Sequence, residues 1–390
     1  MSGWRIPLFD ARFGAEEEAA VLRPLRAGWL TMGEEVIRLE EELCAATGAR
    51  HAVAVTNCTA ALQMACAALG IGAGDEVIVP TLTFVATANA PRALGARVRL
   101  VGSSDPDDLT IDPAAIEAAI SERTRAILVV HYAGFPCAME EILRIAGARG
   151  VPVIEDAAHA VFTHYRSRFL GLHGRVGCFS FYSNKNVTCG EGGALVTDDG
   201  DLAGRLRLLR SHGMTTPTLD RHRGIATGYD VVLPGFNTRL DEIRAALLRV
   251  QLKRLPGYLA RRRELFRLYA DAFAGGPVRV PFRGARFDKE FDETAIHILP
   301  ALLPEGTDRP GVMAKLREAG IQTSIHYPPV HRFASYREAP GGPQDAAHGL
   351  ARTGALADRE LTLPLYPTMS EADVRTVAAA LLESLEACRG

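Results

Sequence analysis

The chain has 390 residues, 47% of them hydrophobic and 23% charged, which is enough to bury a large core and excludes intrinsic disorder and fibrous architecture. Forty-four Lys plus Arg against 46 Asp plus Glu leave a net charge of −2, so there is no positive surplus for a phosphate backbone and nucleic acid is not an expected partner. No apolar run approaches the roughly 20 residues of a membrane helix, and the start MSGWRIPLFD lacks a basic end followed by an apolar block; a soluble, cytoplasmic protein without membrane contact is expected.

Between residues 50 and 200, short Val/Ile/Leu-rich runs at 52–55, 76–79, 97–101, 126–130 and 151–155 predict strands buried on both faces, hence a mainly parallel sheet. Segments 59–69 and 139–150 carry helical periodicity. The glycines at 70, 72 and 74 follow a helix and precede a strand, so they predict a helix stop and turn, not a dinucleotide loop. Runs 177–181 and 193–197 add shorter strands. The expected fold is a three-layer α/β domain around a mainly parallel sheet of about seven strands.

After Arg239 the pattern becomes a helix over 240–255, a break at Pro256 and Gly257, and a second helix through Phe273. Arg261, Arg262 and Arg263 within it read as a solvated helix face. A strand in HILPALL, a helix near Arg317, the strand-like IQTSIHYP and a closing helix predict a smaller α+β domain. The expected division is 1–255 for the large domain and 256–390 for the small one, with a surface loop at 339–343.

Seven scattered cysteines without a C-x-x-C pair indicate reduced thiols and no zinc spacing, so no metal is expected. Gly-Lys, H-E-x-x-H and G-x-S-x-G are absent. Only Lys185, Lys253, Lys289 and Lys315 are lysines among the 44 basic residues; a chain that prefers Arg this strongly keeps Lys where a deprotonatable amine is required. Asp156 falls just past a buried strand, where open α/β sheets place ligand groups, and it reads equally as an N-cap for AAHA. Lys185 lies in a polar turn after the 177–181 strand, where a desolvated amine can form a Schiff base. Thr59 and Ala60 open a helix after the first strand, as an ordinary cap or as an anion site. The helix dipole contributes about 0.3 to 1 kcal/mol, against the roughly 8 kcal/mol of micromolar binding, so hydroxyls such as Thr59 and Ser180 and a covalent link would have to supply the rest.

The stretches NCTAALQMACAALGIGAGDEVIVPTLTFVATANA, VIEDAAHA, FSFYSNKNVTCGEGGALVTDD, GFNTRLDEIRAAL and SIHYPPVH, in this order, resemble the DegT/StrS family of sugar-nucleotide aminotransferases, and the match runs from about residue 5 to 388. The resemblance implies the aspartate-aminotransferase fold (fold type I) and pyridoxal 5′-phosphate (PLP) as cofactor. It implies that Lys185 carries the cofactor as a Schiff base and moves the substrate proton, and that Asp156 pairs with the pyridine nitrogen. Phe84 would stack on the ring and His159 would pack beside it. Thr59, Ala60 and Ser180 would form the phosphate cup, and Asn237 would reach the phosphate of a neighbouring subunit, making the protein an obligate homodimer. His326 would lie near the sugar nucleotide, though on its own it reads as a structural histidine beside a turn; Arg239 is a weaker candidate. Cys58 stands where many members have Gly.

The implied reaction moves an amino group from L-glutamate to a nucleotide-linked keto-deoxysugar. KNVTCGEGG resembles members acting at C4 of 4-keto-6-deoxyhexoses, in antibiotic or surface-polysaccharide synthesis. The alternatives are a C3 ketosugar, cyclitol or amino-acid aminotransferase, and a non-catalytic regulator that binds PLP or a sugar nucleotide.

Overall fold

The computed structural model describes residues 3–216, 218–289, 291–338 and 349–388, so the predicted loop at 339–343 lies outside the described residues. Strands β1 (His51–Val55), β2 (Glu76–Pro80), β3 (Arg97–Val101), β4 (Thr124–Val130), β5 (Val153–Asp156), β6 (Val176–Ser180) and β7 (Gly193–Thr197) form one sheet in the order β1-β7-β6-β5-β4-β2-β3. Only β7 runs antiparallel to its neighbours; the other pairings are parallel. The seven strands expected between residues 50 and 200 are all present in the sheet, with ends shifted by no more than two residues.

The unbroken apolar character of these strands follows from their two-sided burial. Along β4, Ala126 and Leu128 enter one core, with Leu62 and Met64 of the helix Cys58–Ala68. Ile127 and Val129 enter the opposite core, with Leu39 and Leu43 of the helix Glu34–Thr47. Because β1, β2, β4, β5 and β6 point the same way and β7 starts where β6 ends, residues 56–60, 81–87, 156–159, 180–187 and 193 all gather at one edge of the sheet. Gly193 is needed there: a methyl group on it would lie 2.5 Å from the carbonyl carbon of Asn57.

The expected break at Pro256 and Gly257 does not occur. Glu242–Ala272 is one helix of 31 residues, and residue 255 falls within it. Pro256 loses one backbone bond and costs about 3 kcal/mol, but both flanks are anchored. Ala15–Ala27 and Glu34–Thr47 pack on this helix, as does the closing helix Glu371–Ala387, and Leu255 and Leu259 are buried. The basic run is also corrected. Arg262 is 4% exposed and its Nη1 donates to the carbonyls of His297 and Leu365, both at 2.9 Å; this one nitrogen satisfies two backbone acceptors that a solvated face would leave to water.

The C-terminal part pairs β8 (Leu299–Leu302) with β9 (Glu360–Leu363) antiparallel under Arg309–Glu318 and Glu371–Ala387. The strand-like IQTSIHYP makes only isolated bridges, Ile321 with Ile6 and Ser324 with Thr362. Cys44, Cys58, Cys66, Cys137, Cys178, Cys189 and Cys388 are all free thiols. Among the described residues, no helix is long and apolar enough to cross a membrane and no group of three metal-ligating side chains occurs.

Candidate active site

Asp156 ends β5, and its carboxylate is 5% exposed. Residues 157–160 form a turn and no helix, so the capping alternative fails. One oxygen, Oδ1, accepts the Ala158 N–H at 3.1 Å, a local turn bond. The other, Oδ2, accepts from Thr87 Oγ1 at 2.8 Å. Burial raises the Asp156 pKa, while the Thr87 and Ala158 bonds and the charge of Lys185 oppose the rise. Among the described residues no cation pairs with it within salt-bridge distance, and a buried carboxylate in that condition favours a cationic ligand.

Lys185 lies in the turn after β6, near enough to this carboxylate for each charge to act on the other. Burial pushes its amine from the ordinary 10.5 to about 8, with the Asp156 charge pulling the other way. Its Nζ lies 3.3 Å from His297 Nε2. His159 is 5% exposed; its Nδ1 accepts the Ala133 N–H at 3.3 Å, which leaves the ring proton on Nε2, 3.0 Å from Tyr327 Oη. Burial holds His159 neutral, and the Lys185 charge adds to that. The rings of His159 and His297 are 4.5 Å apart, and Phe84 stands 5.8 Å from Tyr327, centroid to centroid.

Asn57 caps the helix Cys58–Ala68, its Oδ1 accepting the Ala60 N–H at 2.8 Å. The exposed Thr59 hydroxyl is therefore not the cap, and it sits at the positive helix end. Cys58 opens that helix with its thiol buried and held protonated by burial and by the charge of Asp156. Ser180 ends β6, buried, with Oγ accepting from the Tyr182 N–H at 3.4 Å.

His326 is buried: its N–H donates to Glu360 Oε2 and its Nδ1 meets Thr362 Oγ1, both at 2.9 Å. Burial and the Lys185 charge push its pKa down to about 4. It lines a cleft with His297, Asn184, Phe9 and Leu365. Asn237 is exposed on the segment that bridges to Ser211, and Arg239 bridges to Val55.

The structure thus gathers Lys185, Asp156, His159 and His326 at one site, with Thr59, Ala60, Phe84 and Ser180 on the same sheet edge. His297, Tyr327, Thr87 and Asn186 were missed. Thr87, Asn186 and Tyr327 lie inside the quoted stretches but were not singled out there, and His297 lies in HILPALL, which was read only as a strand.

This donor set fits PLP. An amine able to lose its proton, a buried carboxylate without a cation, hydroxyls at a helix N-terminus and Asn184 Oδ1, a buried acceptor with no partner among the described residues, match the cofactor's aldehyde, ring nitrogen, phosphate and polar rim. Three solved structures cover nearly all of the chain. S. venezuelae DesV, solved in complex with a ketimine intermediate, is 36% identical, covering 98% of this chain and 99% of its own, with TM-score 0.87. Helicobacter pylori PseC, an aminotransferase of pseudoaminic acid biosynthesis, is 27% identical over 98% and 99%, TM-score 0.87. Spr1654 from Streptococcus pneumoniae, a sugar aminotransferase by description and solved in a PLP form, is 25% identical over 100% of both chains, TM-score 0.88. Residues 12–382 match the DegT/DnrJ/EryC1/StrS aminotransferase family. The chain belongs to this family of PLP-dependent aminotransferases.

Proposed function

We propose that the protein transfers the amino group of L-glutamate to the ketone of a nucleotide-linked 4-keto-6-deoxyhexose, at C4. The observation that carries aminotransfer is a buried Asp156 whose charge acts on Lys185, an amine that burial pushes down to about 8. PLP, when bound, supplies an aldehyde that condenses with amines and a ring that draws electron density from the bond being broken. Lys185 is its attachment point, and Lys185 Nζ takes up and returns the proton at the substrate carbon whose bond to nitrogen changes. Asp156 holds a proton at the ring nitrogen. Thr59, Ala60 and Ser180 hold the phosphate, Phe84 and His159 orient the ring, and Asn237 of a second copy completes the phosphate site, making the dimer obligate. His326 orients the sugar nucleotide.

The choice of C4 and of a deoxyhexose rests on KNVTCGEGG; the nucleotide link is supported by the family. The test is incubation with L-glutamate and a panel of thymidine, uridine and guanosine diphosphate ketosugars, with cyclitol ketones as controls, followed by mass and proton-coupling analysis. Release of 2-oxoglutarate with a 4-amino nucleotide sugar supports the reading. A 3-amino product or an aminocyclitol replaces it with the corresponding alternative, and no 2-oxoglutarate with any ketone favours a binding protein.

A further inference from the structure

We propose that His297 is a positioning residue that holds the ε-amino group of Lys185, with Asn186 fixing the imidazole so that the Nε2 lone pair faces Nζ. The inference rests on the reading of Lys185 as the reacting amine, and goes beyond it by assigning what holds that amine when it is not attached to the cofactor.

The assignment follows from hydrogen-bond capacity along a buried chain. Asn186 is 7% exposed, and its Nδ2 donates to the carbonyl of Ala295 at 3.0 Å, with the carbonyl of Ile296 on the same side at 3.5 Å. Two acceptors on one side fix which end of the amide is nitrogen. Asn186 Oδ1 therefore faces His297 Nδ1, at 3.2 Å. Since Oδ1 only accepts, Nδ1 carries the hydrogen. A neutral imidazole has one N–H, so Nε2 presents its lone pair to Lys185 Nζ, 3.3 Å away.

The surroundings keep the ring neutral and still. Burial lowers its pKa most, and the charges near it, on Lys185, His159, Arg262 and His326, none of them anionic, add to that. Its backbone is pinned on both sides: the His297 N–H donates to Ala133 O at 2.8 Å, and Arg262 Nη1 donates to His297 O. Ala133 also donates to His159, so one backbone unit sets both histidines.

An amine displaced by the amino donor would otherwise sample several rotamers of a four-carbon stem. An acceptor 3.3 Å away keeps it beside the reacting carbon, and misplacement of a reacting group by about 1 Å costs on the order of 100-fold in rate.

Two measurements decide the matter. In the full-length chain freed of cofactor, ¹⁵N spectra of labelled histidines should show His297 protonated on Nδ1 and bare on Nε2, the signal being assigned by its loss in His297→Gln. Competitive acetylation with mass analysis should give Lys185 an apparent pKa that falls by about one unit in His297→Leu, because an acceptor favours the ammonium form. In His297→Gln, whose Oε1 can accept, it should stay near the wild-type value. In the loaded enzyme, His297→Leu should slow the glutamate half-reaction roughly 10- to 100-fold with little change in the glutamate concentration that saturates it.

A proton on Nε2 overturns the proposal, and because it is measured on the wild-type chain, that outcome is decisive even if His297→Leu fails to fold. Wild-type labelling and rate in His297→Leu overturn it equally. If Lys185→Ala still fixes the cofactor under borohydride, the reading of Lys185 falls and this inference with it; if Lys185 is the attachment point and the tautomer is wrong, only this inference falls.

Discussion

Thr87 Oγ1 donates to Asp156 Oδ2 at 2.8 Å, and Thr83 Oγ1 lies 2.8 Å beyond Thr87, so a pair of hydroxyls from the segment after β2 holds the buried carboxylate at the end of β5. A hydrogen bond to a charged group contributes about 1.5 to 3 kcal/mol. Thr87→Val, nearly isosteric, should raise the Asp156 pKa further and slow transamination by roughly 10- to 100-fold, and Thr87→Ser should recover most of the loss. Single-turnover absorbance with glutamate reads this; equal rates in Val and wild type would remove Asp156 from the reacting group.

The shift of Lys185 from 10.5 to about 8 has a fixed sign. The folded chain gives up its proton near pH 8 and the unfolded chain near 10.5, so between those values the unfolded state binds more protons and stability rises with pH. Below pH 8 the full penalty is present. Cofactor-free Lys185→Met should therefore melt higher than the wild type at pH 7, and the advantage should shrink as the pH is raised through 8 towards 10. A constant difference across that range would mean that the amine is not desolvated.

Glu242 Oε1 accepts the N–H groups of Gly33 and Val36, and Oε2 that of Glu35, at 2.8 to 3.0 Å, closing the start of the helix Glu34–Thr47 with a buried carboxylate. Glu242→Gln turns one acceptor into a donor facing an N–H. A loss of about 1 to 3 kcal/mol in urea unfolding is expected, with turnover per folded molecule unchanged; an unaltered midpoint would show that water caps this helix equally well.

Asn237 is exposed in a single chain and follows by five to eight residues Tyr229, Val231 and Val232, which are 54%, 52% and 55% exposed. If Asn237 serves the phosphate of a second copy, mixing Lys185→Ala with Asn237→Ala protomers should restore activity, since one of the two sites in each mixed dimer is intact. Mixed dimers confirmed by mass without recovered activity would confine the site to one chain.

Strands were legible because two-sided burial writes itself as unbroken Val, Ile and Leu, and β3 and β7 match their expected limits. The positions of Lys185 and Asp156 at one end of the sheet were legible because Asp156 closes one strand and Lys185 follows another, where topology sends ligand groups. What was hidden is non-local. The helix through Pro256 depends on Ala15–Ala27 and Glu371–Ala387, far away in sequence. Arg262 is buried by carbonyls 35 and 103 residues downstream. His297 is 112 residues from Lys185 and its role follows only from Asn186, whose amide orientation no periodicity records. The cap on Cys58–Ala68 is Asn57, two residues before Thr59, and Gly193 of β7 lies against its backbone.

The central claim is that Lys185 is the amine that carries PLP. Borohydride reduction of the loaded enzyme, followed by peptide mass mapping, tests it most directly: the pyridoxyl mass should appear on the peptide containing Lys185 and vanish, with the bleachable absorbance, in Lys185→Ala. A pyridoxyl group on Lys253, Lys289 or Lys315, with the Lys185 peptide unmodified, would contradict it.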